Sequence, residues 1–313
     1  MLRRDFLVTS AILAHAVRRQ TPVGSRLGRN TRANPKLILL GTAGGPRPRL
    51  TRAAPAQVIV VNGAAYVVDC GNGVARQLVA AGVPLASIRG VFVTHQHSDH
   101  NADYGTLLSL AWTGGLHTPV DTWGPPPLER MTELFFEMSD TDIEARTTDE
   151  KRPPLQPLVR AHDLRVGGDI SQDANVTVTC AVVHHPPLSP AFAYRFDAGD
   201  RSFVISGDTT RSDSLIALAR NADVLVHEAM IPSAVDRLIA NVPNAPDLKR
   251  SILSHHTSAE DAGRVAQAAR VKTLVLSHLI PAEDPAVPES MWIDAARQHF
   301  DGTIIVGRDL MEI

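Results

Sequence analysis

Short runs of apolar residues recur along this chain, and most end on a polar residue that could do chemistry. Leu37-Ile38-Leu39-Leu40 stops at Gly41-Thr42, and Val58-Ile59-Val60-Val61 and Ala65-Tyr66-Val67-Val68 flank Asn62-Gly63. Runs of this length, rich in β-branched residues and bounded by Gly, Asn or Asp, predict strands, and Asn-Gly between two of them predicts a hairpin. Further strands are predicted at Ile88–Thr94, Val176–Val183, Phe203–Ser206, Val224–Val226 and Thr273–Ser277. Helical spacing marks Val74–Ala81, Thr106–Trp112, Leu128–Met138 and Ala259–Ala269, the last with Thr257 or Ser258 as its N-cap. No internal repeat is visible.

The strand ends carry the chemistry. His95-Gln96-His97-Ser98-Asp99-His100 places four metal-capable side chains in six residues directly after an apolar run. If that strand ran on, His95 and His97 would point the same way and reach one cation, while Asp99 and His100 would reach a second beside it. Four later segments repeat the pattern: His184-His185 after Val183, Asp208 after Ser206-Gly207, His227-Glu228 after Val226, and His278 after Ser277. Ligands gathered from the carboxyl ends of separate strands are how open sheets build sites. Asp69, also at a strand end, reads either as a turn former or as the residue that orients a ligating histidine. The glycine-rich loop Gly41–Pro46 lacks the lysine and helix of a phosphate loop and reads as a turn.

Composition narrows the class. The 313 residues are 44% hydrophobic and 20% charged, a globular profile, with a net charge of −2. That balance argues against a nucleic-acid partner, which usually demands a basic face. The two cysteines, Cys70 and Cys180, form no C-x-x-C pair. A metal must therefore be held by His and Asp, and the thiols are either one bridge or two buried free groups. Arg3-Arg4-Asp5-Phe6-Leu7, the apolar run to Val17 and Ala14-His15-Ala16 resemble a twin-arginine export signal, which predicts a leader over residues 1–33 and a periplasmic enzyme. No segment has the 18 to 20 uninterrupted apolar residues of a membrane-spanning helix. Residues 101–160 interrupt the strand pattern with Gly114-Gly115, Gly124-Pro125-Pro126-Pro127 and Pro153-Pro154. They read as a lid whose Trp112, Trp123 and Phe135 wall a substrate pocket, or equally as a helical layer on the sheet.

From Lys36 to the C-terminus the chain resembles the metallo-β-lactamase superfamily, in the branch containing ribonuclease Z and arylsulfatase-like enzymes. The resemblance rests on Leu40-Gly41-Thr42, Val68-Asp69-Cys70-Gly71, Thr94 to His100, Tyr194-Arg195-Phe196, Ser206 to Thr209, His227-Glu228-Ala229, His256-Thr257-Ser258-Ala259 and Leu276-Ser277-His278. It implies an α/β (α+β) fold over residues 34–313: a four-layer αββα sandwich of two mixed sheets between helices. It implies two Zn²⁺ ions, with Mn²⁺ or Fe²⁺ as substitutes. His95, His97 and His185 would hold one ion, Asp99, His100 and His278 the other, and Asp208 would bridge; His185 is preferred over His184. Related enzymes commonly pair as homodimers.

The chemistry expected of such a site is hydrolysis by a hydroxide held between the metals. In this branch a glutamate–histidine pair protonates the leaving group, matching Glu228 and His256, which biases the substrate toward a tetrahedral ester. His227 and His255 read as structural or as hydrogen-bond partners behind the ligands. Ribonuclease Z carries an arm that grips tRNA between the strand-end histidine and the bridging aspartate. Here 22 residues separate His185 from Asp208 (208 − 185 − 1). The expected substrate is thus a small phosphodiester or aryl sulfate. Acyl hydrolysis of a lactone or β-lactam is the alternative, and tRNA 3′ processing ranks below both.

Overall fold

A computed structural model describes residues 34–240 and 242–313, all within one compact unit. The leader read at residues 1–33 lies outside the described residues. In chain order the strands are β1 Lys36–Gly41, β2 Ala56–Val61, β3 Ala64–Val68, β4 Ile88–Phe92, β5 Val120–Gly124, β6 Val159–Asp163 and β7 Gly168–Gln172. They continue as β8 Thr177–His185, β9 Leu188–Ala198, β10 Arg201–Ile205, β11 Val224–Met230, β12 Thr273–Ile280, β13 Thr303–Val306 and β14 Met311–Glu312. The helices are α1 Val74–Ala80, α2 Ser98–Asn101, α3 Tyr104–Thr113, α4 Leu128–Asp149, α5 Asp213–Leu218, α6 Val235–Ile239, α7 Leu248–His255, α8 Ala259–Ala269 and α9 Glu289–Arg297. None is long and apolar enough to cross a membrane among the described residues.

Two seven-stranded sheets result, ordered β14-β1-β2-β3-β4-β5-β6 and β13-β12-β11-β10-β9-β8-β7. Each has three antiparallel and three parallel pairings, antiparallel from β14 to β3 and from β10 to β7, parallel from β3 to β6 and from β13 to β10. The hairpin predicted at Asn62-Gly63 closes β2 onto β3, both turn residues having positive φ (51° and 79°). That is the two-residue turn whose twist matches the strands it joins.

Alternation along the strands sorts apolar side chains into three layers. Leu37 and Leu39 face inward with Ile59, Phe92, Phe192, Phe196 and Val226, filling the space between the sheets. Ile38 and Leu40 face outward, under α1 and α3 through Leu78 and Leu107. On the second sheet, Val204, Leu225 and Leu274 pack outward against Ala262, Val265 and Ala266 of α8 and Trp292 of α9. Two sheets, each covered outside by helices, make the four-layer αββα sandwich expected.

The sequence leaves two readings open, the role of residues 101–160 and the state of the two cysteines. Residues 101–160 hold two sheet strands and the 22-residue α4, so most of this segment belongs to the sandwich. Trp112 is buried against Ile143 and Leu155, Trp123 stacks on Phe92 at 5.0 Å, and Phe135 packs against α3 at Gly105. Cys70 lies in the outer core of the first sheet and Cys180 in the core between the sheets; both are free thiols whose proton affinity is raised by burial.

Candidate active site

The carboxyl ends of β3, β4, β8, β10, β11 and β12 open onto one edge of the sandwich, and each delivers polar residues there. The histidine motif arrives differently from the simple strand extension expected. β4 ends at Phe92, and His95 and His97 sit in the loop beyond it. His97 is the N-cap of α2, a single turn carrying Asp99 and His100. Turning the chain here, instead of extending it, brings the motif's four side chains together. His278 stands at a bulge: Glu228 pairs with Ser277 and Ala229 with Leu279, leaving His278 out of register at a φ of 45°. A bulge re-aims a side chain that regular pleating would bury in the wrong layer.

Three groups of side chains could each hold a cation: His95, His97, His185 and Asp208; Asp99, His100 and His278; and Asp208, Glu228, His256 and His278. His97 Nδ1 lies 3.0 Å from His95 Nε2 and 3.1 Å from His185 Nε2. Asp208 stands between the first two groups, 3.7 Å from His95, 3.4 Å from His100 and 3.2 Å from His278. Asp99 reaches His100 at 3.6 Å and His278 at 3.4 Å. His184, by contrast, is exposed.

Outer contacts set which nitrogen of each ring faces the cluster. His100 Nδ1 donates to Asp69 Oδ2 at 2.8 Å. Thr94 donates its hydroxyl proton to the same carboxylate oxygen, so its oxygen is left to accept from His95 Nδ1 at 3.0 Å. His185 Nδ1 donates to the His255 carbonyl at 3.1 Å. With the Nδ1 protons so placed, the Nε2 lone pairs of all three rings point inward, the arrangement that fixes metal-ligating histidines. Asp69 therefore both turns the chain, at a φ of 62°, and orients His100. His255 does support a ligand as the sequence suggested, through its peptide oxygen, while the role of Thr94 escaped sequence reading because a threonine carries no distinctive pattern. His227 points to the helix side of the sheet, its Nδ1 against the Glu228 carbonyl at 2.8 Å.

The electrostatics ask for a cation. Burial pushes His95 well below its ordinary pKa and His185 down to about 4, leaving both neutral and able to ligate. Burial alone would raise Asp99, but His100 and His278 bring it down to about 2; the same histidines hold buried Asp208 ionised. Burial also opposes a charge on His100, yet Asp208, Asp69 and Asp99 outweigh it and lift its proton affinity well above the usual value. His100 Nε2, Asp208 Oδ1 and both ring nitrogens of His278 are buried without a hydrogen-bond partner. Inward-facing imidazoles and carboxylates with unused lone pairs fit borderline divalent ions such as Zn²⁺.

Beside the cluster, Glu228 is sealed from solvent and accepts from the Thr209 amide at 2.7 Å and from His256 Nδ1 at 2.8 Å. Burial works against a charged His256, but the Glu228 carboxylate and its hydrogen bond, with Asp208 and Asp99, push it up to about 9. A cavity of about 260 Å³ leads to this point. Its lining combines His97, Asp99, Asp208, His256 and His278 of the cluster with the apolar Leu238, Leu248, Ile252 and Ile280 and the loop after β1 that carries Arg47 and Arg49. The apolar lining thus comes from α6, α7 and β12, and not from Trp112, Trp123 or Phe135. Gly44 and Gly45, read as a turn, line the cavity too; a Cβ at Gly44 would meet Ile280 at 2.6 Å and His278 Nδ1 at 3.0 Å.

Comparison with known proteins agrees with this geometry. The Lactamase_B_2 family, described as a beta-lactamase superfamily domain, matches residues 64–279. A Ribonuclease Z of Mycobacterium bovis (strain BCG / Pasteur 1173P2) is 32% identical over 281 residues, 89% of this chain and 97% of that protein. A Ribonuclease Z of Mycobacterium sp. (strain KMS) is 33% identical over 281 residues, covering 89% and 95%. Among solved structures, the metallo-beta-lactamase fold protein YhfI of Bacillus subtilis superposes with a TM-score of 0.65 at 22% identity, covering 89% of this chain and 98% of that one. Human tRNase Z, short form, gives 0.64 at 21%, covering 89% and 98%. A two-sheet sandwich with histidines and carboxylates converging at one edge defines a metal-dependent hydrolase. The chain belongs to the metallo-β-lactamase superfamily, in its ribonuclease Z branch.

Proposed function

We propose that this hydrolase cleaves phosphodiesters with two divalent ions, zinc foremost. His95, His97 and His185 would hold one ion, Asp99, His100 and His278 the other, with Asp208 shared. Such a pair supplies Lewis acidity toward the ester and lowers the pKa of water at the site. The chain's residues do the rest. Asp69, Thr94 and the His255 carbonyl keep the ligating rings in place. His256, with Nδ1 committed to Glu228, has Nε2 left to carry a proton to the leaving oxygen. Glu228 keeps that imidazole charged and in one orientation.

The observation that carries the reading is this Glu228–His256 pair beside the cluster, 3.8 Å from Asp208. An alkoxide leaving from phosphorus needs a proton at departure, and a histidine held in its charged form supplies one. Lactone opening also expels an alkoxide, so the acyl alternative is separated by substrate assay. Aryl sulfates share the tetrahedral centre and the single negative charge of a phosphodiester, so they are the nearest competitors.

A second reading, RNA as the physiological phosphodiester, is favoured by the curated relatives' name. The missing arm does not count against it as the sequence suggested. Since 281 residues make up 97% of the Mycobacterium bovis protein, that protein is shorter than this chain and has no room for a large insertion relative to it. One panel separates the readings: bis(p-nitrophenyl) phosphate, p-nitrophenyl phosphate, p-nitrophenyl sulfate, a lactone, a β-lactam and a tRNA precursor with a 3′ trailer. Turnover of the diester above the monoester, sulfate and acyl substrates is expected. Sulfate or acyl turnover without diester turnover would overturn the proposal, and precise trailer removal would establish RNA.

A further inference from the structure

We propose that Arg47 and Arg49 form an anion subsite for a second phosphate of the substrate, separated from the scissile ester by an apolar or planar body. This rests on the phosphodiesterase reading for what sits at the cluster, and it adds a substrate class: nucleotide-like esters bearing a further phosphate.

The loop after β1 is rich in arginine, and its members are used differently. Arg52 is consumed by the fold, donating to the Thr42 hydroxyl and the Gly307 carbonyl. Nearby Arg237 is paired with Asp284 at 2.7 Å. Arg47 and Arg49 have no hydrogen bond or ion pair among the described residues, yet both line the cavity that ends at Asp99 and Asp208. The Nε of Arg49 is buried without a partner, a state that costs free energy unless a ligand supplies the acceptor. Burial and the neighbouring Arg47 charge make the Arg49 guanidinium a weaker base than usual, and Glu283 only partly offsets this. Glu283 is itself engaged, accepting from the Thr51 amide at 2.7 Å.

Two guanidiniums on one short loop, beside a Glu283 already engaged by Thr51 and an Asp284 already paired with Arg237, are placed to chelate a tetrahedral, multidentate acceptor such as phosphate. The same cavity supplies Leu248 and Ile252, against which a nucleobase or aryl body can lie. The cavity thus offers a centre for a tetrahedral ester, apolar side chains and a cationic loop.

The test is calorimetric binding to the metal-loaded protein, comparing thymidine 3′,5′-bisphosphate with thymidine 5′-phosphate. The native protein should bind the bisphosphate about tenfold more tightly, about 1.4 kcal/mol. Arg47→Gln and Arg49→Gln should each shrink that ratio and the double variant should bring it near one, while Arg49→Lys keeps part of it. Thermal unfolding and metal content of each variant identify any that misfold; Arg47 has no hydrogen bond or ion pair among the described residues, so Arg47→Gln remains informative. Equal affinities in the native protein, or an undiminished ratio in the double variant, would overturn the subsite. If the bisphosphate preference holds while no diester in the panel is cleaved, the subsite stands and the phosphodiesterase reading falls. Diester cleavage without the preference does the reverse.

Discussion

His256 is pulled two ways, since its burial disfavours a charge and the Glu228 carboxylate at 2.8 Å favours one. The carboxylate wins, so in the metal-free protein the imidazole should titrate near 9, followed by its side-chain NMR shifts. Glu228→Gln should return it toward or below its ordinary value of about 6.5, because only burial then acts strongly. The sign of the stability effect follows. A folded-state pKa raised above the unfolded value adds stability that is complete below about pH 6.5 and is lost as pH rises through 9. Unchanged titration in Glu228→Gln would show that Asp208 and Asp99 hold the charge instead. For catalysis, His256→Ala should lower kcat/KM for an alkyl-leaving diester by roughly 10²–10⁴. A nitrophenyl diester, whose leaving group departs unprotonated, should lose far less; equal losses would remove the proton-donor role.

Strand tips aim these residues, and the aim depends on a few tight backbone positions. Gly207, between β10 and Asp208, has a φ of 59°, and a Cβ there would sit 2.8 Å from the Phe192 carbonyl and 2.9 Å from Thr94 Cβ. Gly207→Ala should cost about 1–3 kcal/mol and displace Asp208, lowering bound metal by elemental analysis. Full metal content with native stability would mean the loop relaxes freely. The same elements explain what could be read beforehand. β1 to β4, β8 and β10 to β12 are buried on both faces or alternate cleanly, so their apolar runs and polar tips stood out. β6 and β7 are edge strands with little buried on either face, and no apolar pattern marks them. α4 runs eleven residues past Met138 with Ile143 as its sole further buried residue; charged pairs such as Arg146–Asp142 line its exposed side there. At the site, the metal-capable side chains were legible because His and Asp at strand ends are unusual. Leu248 and Ile252 were not, since an apolar helix face looks the same whether it meets a core or a substrate.

At the scale of the whole molecule, the site joins the two halves of the sandwich. Asp99 and His100 come from beyond β4 of the first sheet, whereas His185, Asp208 and His278 come from the second. A cation bound here ties the sheets together at one edge, and without it the fold must keep Asp99, Asp208 and five histidines close together and mostly buried, balanced largely by protons on His100 and His256. Metal that binds the folded but not the unfolded chain stabilises by mass action, about 4 kcal/mol at a free concentration a thousandfold above Kd. Chelation should therefore lower Tm by roughly 8–16 °C, at about 2–4 °C per kcal/mol for chains of a few hundred residues. Asp208→Asn, which removes the charge shared by both groups, should give a protein whose Tm no longer responds to chelator. A native protein with an unchanged Tm after chelation and no bound metal beforehand would sink the assignment. If Asp208→Asn kept a large chelator response, the aspartate would not be the shared ligand, and the link between the sheets would run through His185 and His278.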